Sequence, residues 1–484
     1  MNLFLQVSNH ILFFYYFLSN LVYLGLLVVA IAASVAQQRR LGTLWLERLR
    51  VSPLAPPISI LVPARNEEKT IVDSVRSLLA LDYPELEVIV ANDGSNDGTL
   101  DELTRHFDLI LTDILYVSEI PTQTVRGIYM SKTDRRLLVL DKESSGHKAD
   151  ALNAALNAAS SPYVCAVDAD AILEKDALLR IMAPVLNNPG RVVATGGIVR
   201  VINGSSVQGG VVREVRLPRR LLEVLQAIEY LRAFLVGRQG WAQFNSLLII
   251  SGAFGVFRRD LCKQIGGFRG SAVGEDLDLV VRMHRRLRDL GEDYHISFVP
   301  DPVCWTEVPS TTKILARQRA RWQKGLIDVL WQNRGMLFNP RYGRIGFLAL
   351  PYHWVFECIA PLVEVVGWTT MTMAAFLGML SREFFVEFLL FGYIFSTMIS
   401  IGSVVIEEMT YHRYNDWRDL ARLIGVCFLE FFPYRQLNTL WRVRGMWQHL
   451  FGNSVWGKMD RIGFTRPLAN LESQAKRPKE KPYS

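Results

Sequence analysis

The sequence predicts an α/β domain set among transmembrane helices. Three observations carry that reading: a charge-free apolar N-terminal segment, further membrane-length apolar stretches beyond residue 344, and short β-branched runs alternating with helical periodicity between them. At 484 residues the chain exceeds one ordinary domain, and its 50% hydrophobic content is high for a soluble protein.

Residues 1–38 contain no Asp, Glu, Lys or Arg, and Ile11–Ala33 is long enough for a bilayer, which takes ~20 residues. With no basic leader region, this segment reads as a retained anchor rather than a signal peptide. Arg39, Arg40, Arg48 and Arg50 follow it, so the positive-inside bias places that end in the cytoplasm and the N-terminus outside. From 52 to 335 the pattern becomes that of a soluble domain. Ile58–Val62, Val88–Ala91, Leu137–Leu140, Tyr163–Val167 and Arg191–Thr195 are near-continuous apolar runs, as expected of a mostly parallel sheet covered on both faces. Ile71, Val75, Leu78 and Leu79 form one helical stripe between them, and Leu152, Ala155, Leu156 and Ala159 another. Membrane and interfacial helices are expected over 344–452. Ile345–Leu380 is interrupted by Pro351 and Pro361, and Phe388–Ile406 carries no charge. Together with the N-terminal anchor these make three spans. A shorter stretch, Leu423–Phe432, holds Glu430 and is followed by Pro433. The segment 456–484 reads as a basic cytoplasmic tail, partly disordered.

The five cysteines are odd in number and form no CxxC pair, which argues against a disulfide framework or a zinc site. The +7 charge is spread out and suits an anionic lipid face and an anionic substrate. No basic stretch interleaves with aromatics, so nucleic acid is not indicated.

Ligands of open α/β sheets sit at the carboxyl ends of strands, and the acidic residues of this chain gather there. Pro63-Ala64-Arg65-Asn66-Glu67 follows the first strand, and Asp93-Gly94-Ser95-Asn96-Asp97 the second. Loops favour such residues for turn geometry alone; a carboxylate at Asp93 could also accept the N3–H of uracil. Lys148 opens a helix, where anions are favoured, although helix-start lysines are commonly just solvated. Asp168-Ala169-Asp170 ends an apolar strand, and carboxylates at i and i+2 project to the same side. Such a pair can hold Mg²⁺ or Mn²⁺ against phosphate oxygens. Gly274-Glu275-Asp276 begins an amphipathic helix; its acids could simply meet the helix dipole. Gln318-Arg319-Ala320-Arg321-Trp322 lies in a basic helix that would also suit a membrane surface.

In order and spacing these clusters resemble the processive, membrane-integrated family 2 glycosyltransferases: the cellulose, chitin, hyaluronan and poly-N-acetylglucosamine synthases. The resemblance covers about residues 55–335. It implies a GT-A-type nucleotide-sugar domain on the cytoplasmic side of a bacterial inner membrane, with Mg²⁺ or Mn²⁺ as cofactor. Asp276 falls at the position of the family's catalytic base, with Gly274 where the family's threonine stands. Pro63, Glu67, Asp93, Lys148 and Arg321 would bind the nucleotide diphosphate. Ser251, Gly252, Glu275, Gln318 and Trp322 would hold the acceptor, and Asp168 and Asp170 the metal. The texture around Tyr230, Ser251-Gly252, Phe257-Arg258-Arg259 and Gly266-Gly267-Phe268 is most similar to the poly-β-1,6-N-acetylglucosamine branch, from which one N-terminal span in place of two is a departure. The implied reaction is inverting polymerisation of a UDP-sugar, UDP-N-acetylglucosamine first among them. The growing polysaccharide would leave between membrane helices, with Glu357, Glu364 and Glu430 lining its path. The bilayer and small membrane or export proteins are its expected partners. The alternatives are a polyprenyl-phosphate sugar transferase, a β-glucan synthase and a non-catalytic scaffold.

Overall fold

The computed structural model describes residues 2–40 and 55–452, apart from 271, 381, 412, 413 and 415. Arg48, Arg50 and the basic tail lie outside the described residues.

The soluble middle is built on a ten-stranded sheet with the order β3-β4-β5-β2-β1-β6-β11-β8-β12-β7. The strands are β1 (Ile58–Ala64), β2 (Leu86–Asp93), β3 (Leu109–Leu111), β4 (Val125–Ser131), β5 (Leu137–Lys142), β6 (Tyr163–Val167), β7 (Ala171–Leu173), β8 (Val192–Val201), β11 (Phe254–Arg258) and β12 (His295–Thr306). A separate hairpin pairs β9 (Ser206–Gln208) with β10 (Val211–Glu214). The run β5-β2-β1-β6 is parallel, as is β8-β12. β4, β11 and β7 run against their neighbours. The apolar runs read as strands are all strands. They are apolar throughout because both faces are covered: Ile58, Ile60, Leu61 and Val62 are fully buried.

Ten helices bear on the site and its setting: α1 (Asn2–Arg40), α2 (Ile71–Leu79), α3 (Lys148–Ala158), α4 (Leu221–Leu231), α5 (Glu275–Leu290), α6 (Thr312–Gln332), α7 (Ala360–Phe376), α8 (Arg382–Tyr411), α9 (Trp417–Leu429) and α10 (Arg435–Phe451). α2 buries Ile71, Val75 and Leu78 at helical spacing. α3 packs on β1 and β2 through Ala151, Leu152, Ala155 and Leu156. α5 ends at Gly291, whose φ of 70° is the left-handed cap that glycine accepts without cost.

His10–Ala36 within α1 and Phe385–Tyr411 within α8 are long and apolar enough to cross a membrane. Ile345–Cys358 and Ala360–Phe376 make a third span if taken as one, bent by 41°. The bend falls just before Pro361; Pro351 sits inside helical structure and does not break it. α9, at 13 residues, is too short to cross. The membrane helices are tied to the sheet by a buried ion pair. Arg200 of β8 meets Glu407 of α8 through both guanidinium ends, with Nη2 donating to Oε2 at 2.6 Å.

Candidate active site

At the carboxyl ends of β1 and β2 two loops clasp each other. Asn66 N donates to Ser95 Oγ at 3.0 Å, and Asn96 N donates to Asn66 Oδ1 at 2.9 Å. Gly94 turns the second loop at φ +58°, where a Cβ would also lie 2.9 Å from Ser144 N. Asp93 is buried and its carboxylate is oriented from behind: Lys142 Nζ donates at 2.7 Å and Ser144 Oγ at 3.2 Å. Lys142 is itself fully buried and pairs with Asp150 at 2.5 Å. Sequence reasoning missed this lysine. Its signal was its place at the end of an apolar strand, level with Asp93 on the neighbouring one.

Lys148 is the first residue of α3. Its ammonium is paired with Asp168, lies 3.5 Å from Glu275 and donates to Gly252 O at 3.3 Å. Burial works against that charge, but Asp168, Glu275 and Asp276 outweigh it and hold the Lys148 pKa above the ordinary lysine value. Burial pushes Glu275 the other way from an ordinary carboxylate, upward; Lys148 counteracts and Asp276 adds to the rise.

Asp276 lies in the first turn of α5. Its Oδ2 accepts from Gly252 N at 3.2 Å and its Oδ1 from Leu277 N at 2.8 Å. A Cβ on Gly252 would stand 3.1 Å from Lys148 Nζ and 3.8 Å from Asp276 Oδ2. The Ser251-Gly252 turn therefore lies between the lysine and the acid, and its smallness lets both approach. The helix behind Asp276 is anchored by His284, fully buried, whose ring meets Tyr294 Oη at 2.7 Å and Leu247 O at 2.8 Å.

In α6, Gln318 and Arg319 are buried while Trp322 is 44% exposed. Arg319 Nη2 donates to Glu229 Oε2 at 2.7 Å, Tyr434 Oη donates to the same oxygen at 2.7 Å, and the guanidinium lies 4.4 Å from the Trp322 ring centre. Nothing in the sequence around Arg319 beyond its place in a basic helix signals this bracing network. α10 packs closely on α6, since a Cβ on Gly445 would lie 2.4 Å from Ala320 O.

The residues assigned to donor, acceptor and metal all line one cavity of about 2160 Å³: Pro63, Glu67, Asp93, Lys148, Asp168, Asp170, Ser251, Gly252, Glu275, Asp276, Gln318, Arg321 and Trp322. The same cavity continues among the membrane helices, where Tyr15, Tyr16, Tyr23, Glu357, Glu364 and Glu430 line it. Those acids are paired: Glu357 with Arg442 at 3.5 Å, Glu364 with Arg435 at 3.4 Å and Glu430 with Arg232 at 2.5 Å. Among the described residues, no cluster of three or more His, Cys, Asp or Glu could hold a metal by itself. Asp168 and Asp170 offer hard oxygen donors on the cavity wall. That set fits a divalent ion that takes its remaining ligands from a diphosphate and water.

Residues 56–325 match the family model described as glycosyltransferase-like family 2. The chain belongs to this family. A family 2 enzyme transfers a sugar from a nucleotide donor, and the cavity of this glycosyltransferase opens at the strand ends where that donor is expected. A poly-β-1,6-N-acetyl-D-glucosamine synthase of Staphylococcus epidermidis is 28% identical over 381 residues, 78% of this chain and 79% of that one. One of Staphylococcus aureus is 30% identical over 275 residues, 56% of this chain and 55% of that one. Among solved structures, a mannosyltransferase of Pyrobaculum calidifontis in complex with GDP-Man and Mn²⁺ superposes with a TM-score of 0.53 at 18% identity, over 90% of this chain and 100% of that one. The likeness establishes a shared fold.

Proposed function

We propose that this glycosyltransferase polymerises N-acetylglucosamine from UDP-N-acetylglucosamine into a β-linked chain and passes it between its membrane helices. The observation that carries the reading is the continuity of the cavity, from Asp93 past Asp276 to Glu364 and Glu430. A growing polymer needs such a path out of the site, whereas transfer to a soluble acceptor needs none. The named relatives support the choice of sugar.

In this reading Asp93 and the Pro63–Glu67 loop hold the uridine, and Lys148 and Arg321 take the diphosphate. Asp168 and Asp170 would hold Mg²⁺ or Mn²⁺, which supplies charge neutralisation at the diphosphate when bound. Trp322 offers an aromatic face to the acceptor sugar, with Ser251, Gly252, Glu275 and Gln318 around it. Asp276 takes the proton of the acceptor hydroxyl as that oxygen attacks the anomeric carbon. The bond to UDP breaks from the opposite face, and an α-linked donor becomes a β-glycoside. The organisation that goes with this is an anchor over 1–38, a cytoplasmic catalytic domain over 52–335 and membrane and interfacial helices over 344–452. The basic end of the anchor supports a cytoplasmic face in a bacterial inner membrane.

The test is to give the purified protein each UDP-sugar with Mg²⁺ or Mn²⁺ and size the product. A long β-linked N-acetylglucosamine polymer is expected. A product limited to lipid-linked monosaccharide would overturn the polymerase reading.

A further inference from the structure

Arg238 ends a π-helical segment, Arg232–Arg238, that follows α4 and leans on α1 and α8. π-helical turns are rare and gather at functional sites. The Arg238 guanidinium lies 3.7 Å from the ring centre of Phe234. Its Nη1 is buried and has no hydrogen-bond partner. Among the described residues Arg238 forms no ion pair, yet it lines the cavity beside Tyr230, Gly237, Trp241 and Asp276. Burial pushes its guanidinium down to about 10, with Asp276 acting in the opposite direction. It therefore remains a cation at neutral pH.

The contrast with its neighbours is sharp. On the same wall Arg232 meets Glu430, Arg319 meets Glu229, Arg435 meets Glu364 and Arg442 meets Glu357. Each of those cations is matched within the protein. A half-buried cation left unmatched is costly, and a guanidinium without an ion-pair partner on a cavity wall points to a ligand that completes it.

We propose that Arg238 is an acceptor-binding residue that donates hydrogen bonds to the amide carbonyl oxygen of an N-acetylhexosamine terminus placed beside Asp276. A guanidinium has only donors, so it reads oxygens. An amide carbonyl is the strongest neutral acceptor on such a sugar. The diphosphate is the less suitable ligand, because Lys148, paired with Asp168, already supplies a cation for it elsewhere on the cavity. The inference rests on the proposed use of UDP-N-acetylglucosamine, and the native control tests that separately.

The experiment compares native protein with Arg238→Met and Arg238→Lys. First, native protein must elongate N-acetylglucosamine oligosaccharides; if it does not, the proposed function fails before any variant is read. Arg238→Met keeps an apolar chain on Phe234 and removes an unmatched, half-buried charge, so its thermal midpoint should equal or exceed the native one. Its KM for acetylated acceptor should rise about tenfold or more, the loss expected for a charged hydrogen bond. Its UDP affinity should not change. Acceptors deacetylated at the terminal unit, which lacks the carbonyl, should be used poorly by native protein and no worse by the variant. Arg238→Lys should recover part of the native KM. A parallel fall in UDP affinity would assign Arg238 to the diphosphate instead. Equal losses for acetylated and deacetylated acceptors, an unchanged acceptor KM, or a lowered thermal midpoint would each overturn the proposal.

Discussion

Gly325 of α6 lies backbone to backbone against Gly274, the residue that caps α5. A Cβ on Gly325 would stand 2.8 Å from Gly274 N, closer than real side chains approach. The contact joins the helix carrying Arg321 and Trp322 to the turn that begins Glu275-Asp276. It is asymmetric: a Cβ on Gly274 would meet Gly325 C at 3.7 Å, an ordinary contact. A Cβ is therefore compatible with this backbone at 274, but none fits at 325 without movement.

Gly325→Ala should force the two helices apart and misplace donor and acceptor groups relative to each other. A displacement near 1 Å can cost ~10²-fold in rate. UDP release measured at saturating donor should fall by about that factor, while Gly274→Ala stays near native. A native rate in Gly325→Ala would mean that α6 can slide without consequence for the site.

Arg321 and Trp322 are adjacent but should fail differently. Arg319 covers one face of the Trp322 ring and leaves the side chain 44% exposed toward the cavity. Trp322→Ala should lower polymer yield far more than UDP affinity, since only sugar stacking is lost. Arg321→Ala should weaken UDP binding by about tenfold or more, as loss of a charged hydrogen bond would. A UDP titration on both variants checks this, and equal losses of affinity would assign the tryptophan to the donor or the fold.

His284 makes the domain acid-sensitive. Burial pushes its pKa from 6.5 down to about 4 in the folded protein. The unfolded chain therefore takes up a proton first as pH falls. Stability from this group is complete above about 6.5 and is lost progressively toward about 4. The thermal midpoint should drop across that window, and less steeply in His284→Gln, which keeps hydrogen-bonding groups but cannot titrate. Identical slopes in the two proteins would show that other groups set the acid limit.

Much of the site was legible in the sequence because its chemistry sits at strand ends and helix starts, where local pattern is strong. The apolar run before Asp168 marks the end of β6, and Lys148 marks the start of α3. Other features depend on distant pairings that periodicity does not encode. β11 lies antiparallel between β6 and β8, an arrangement invisible in its own five residues. Lys142 reads as a solvated strand-end lysine until Asp93 and Asp150 are brought around it. Arg319 becomes a brace only when Glu229 and Tyr434 arrive from elsewhere in the chain. Gly325 reads as an ordinary helix glycine until Gly274 packs on it.

Asp170 is buried at the cavity wall, two residues beyond Asp168. Asp170→Ala should abolish metal-dependent UDP release while the protein still folds and inserts. The check is a Mn²⁺ titration of activity on native and variant protein, with native protein in chelator as control. Full native activity in chelator, or normal turnover in the variant, would remove the metal from the proposed site.

Asp276 carries the mechanism, and its surroundings now separate it from Glu275. Two backbone N–H groups fix its carboxylate, and among the described residues no cation lies within ion-pair distance of it. Glu275 is closer to Lys148, at 3.5 Å, and is held as part of that charge cluster. A general base has to be fixed in place and still able to accept a proton, and Asp276 meets both conditions better. Asp276→Asn keeps the shape of the side chain and, through its one remaining oxygen, one of the two N–H contacts, but it cannot take the proton. Transfer should fall ~10²–10⁴-fold, with UDP and metal affinity near native. Glu275→Gln should instead alter acceptor KM and the pull on Lys148, with a smaller loss of kcat. Near-native transfer in Asp276→Asn alongside collapse in Glu275→Gln would move the base by one residue. Activity in both would leave the first turn of α5 without a catalytic role, and the proton would have to go to another group on the cavity wall.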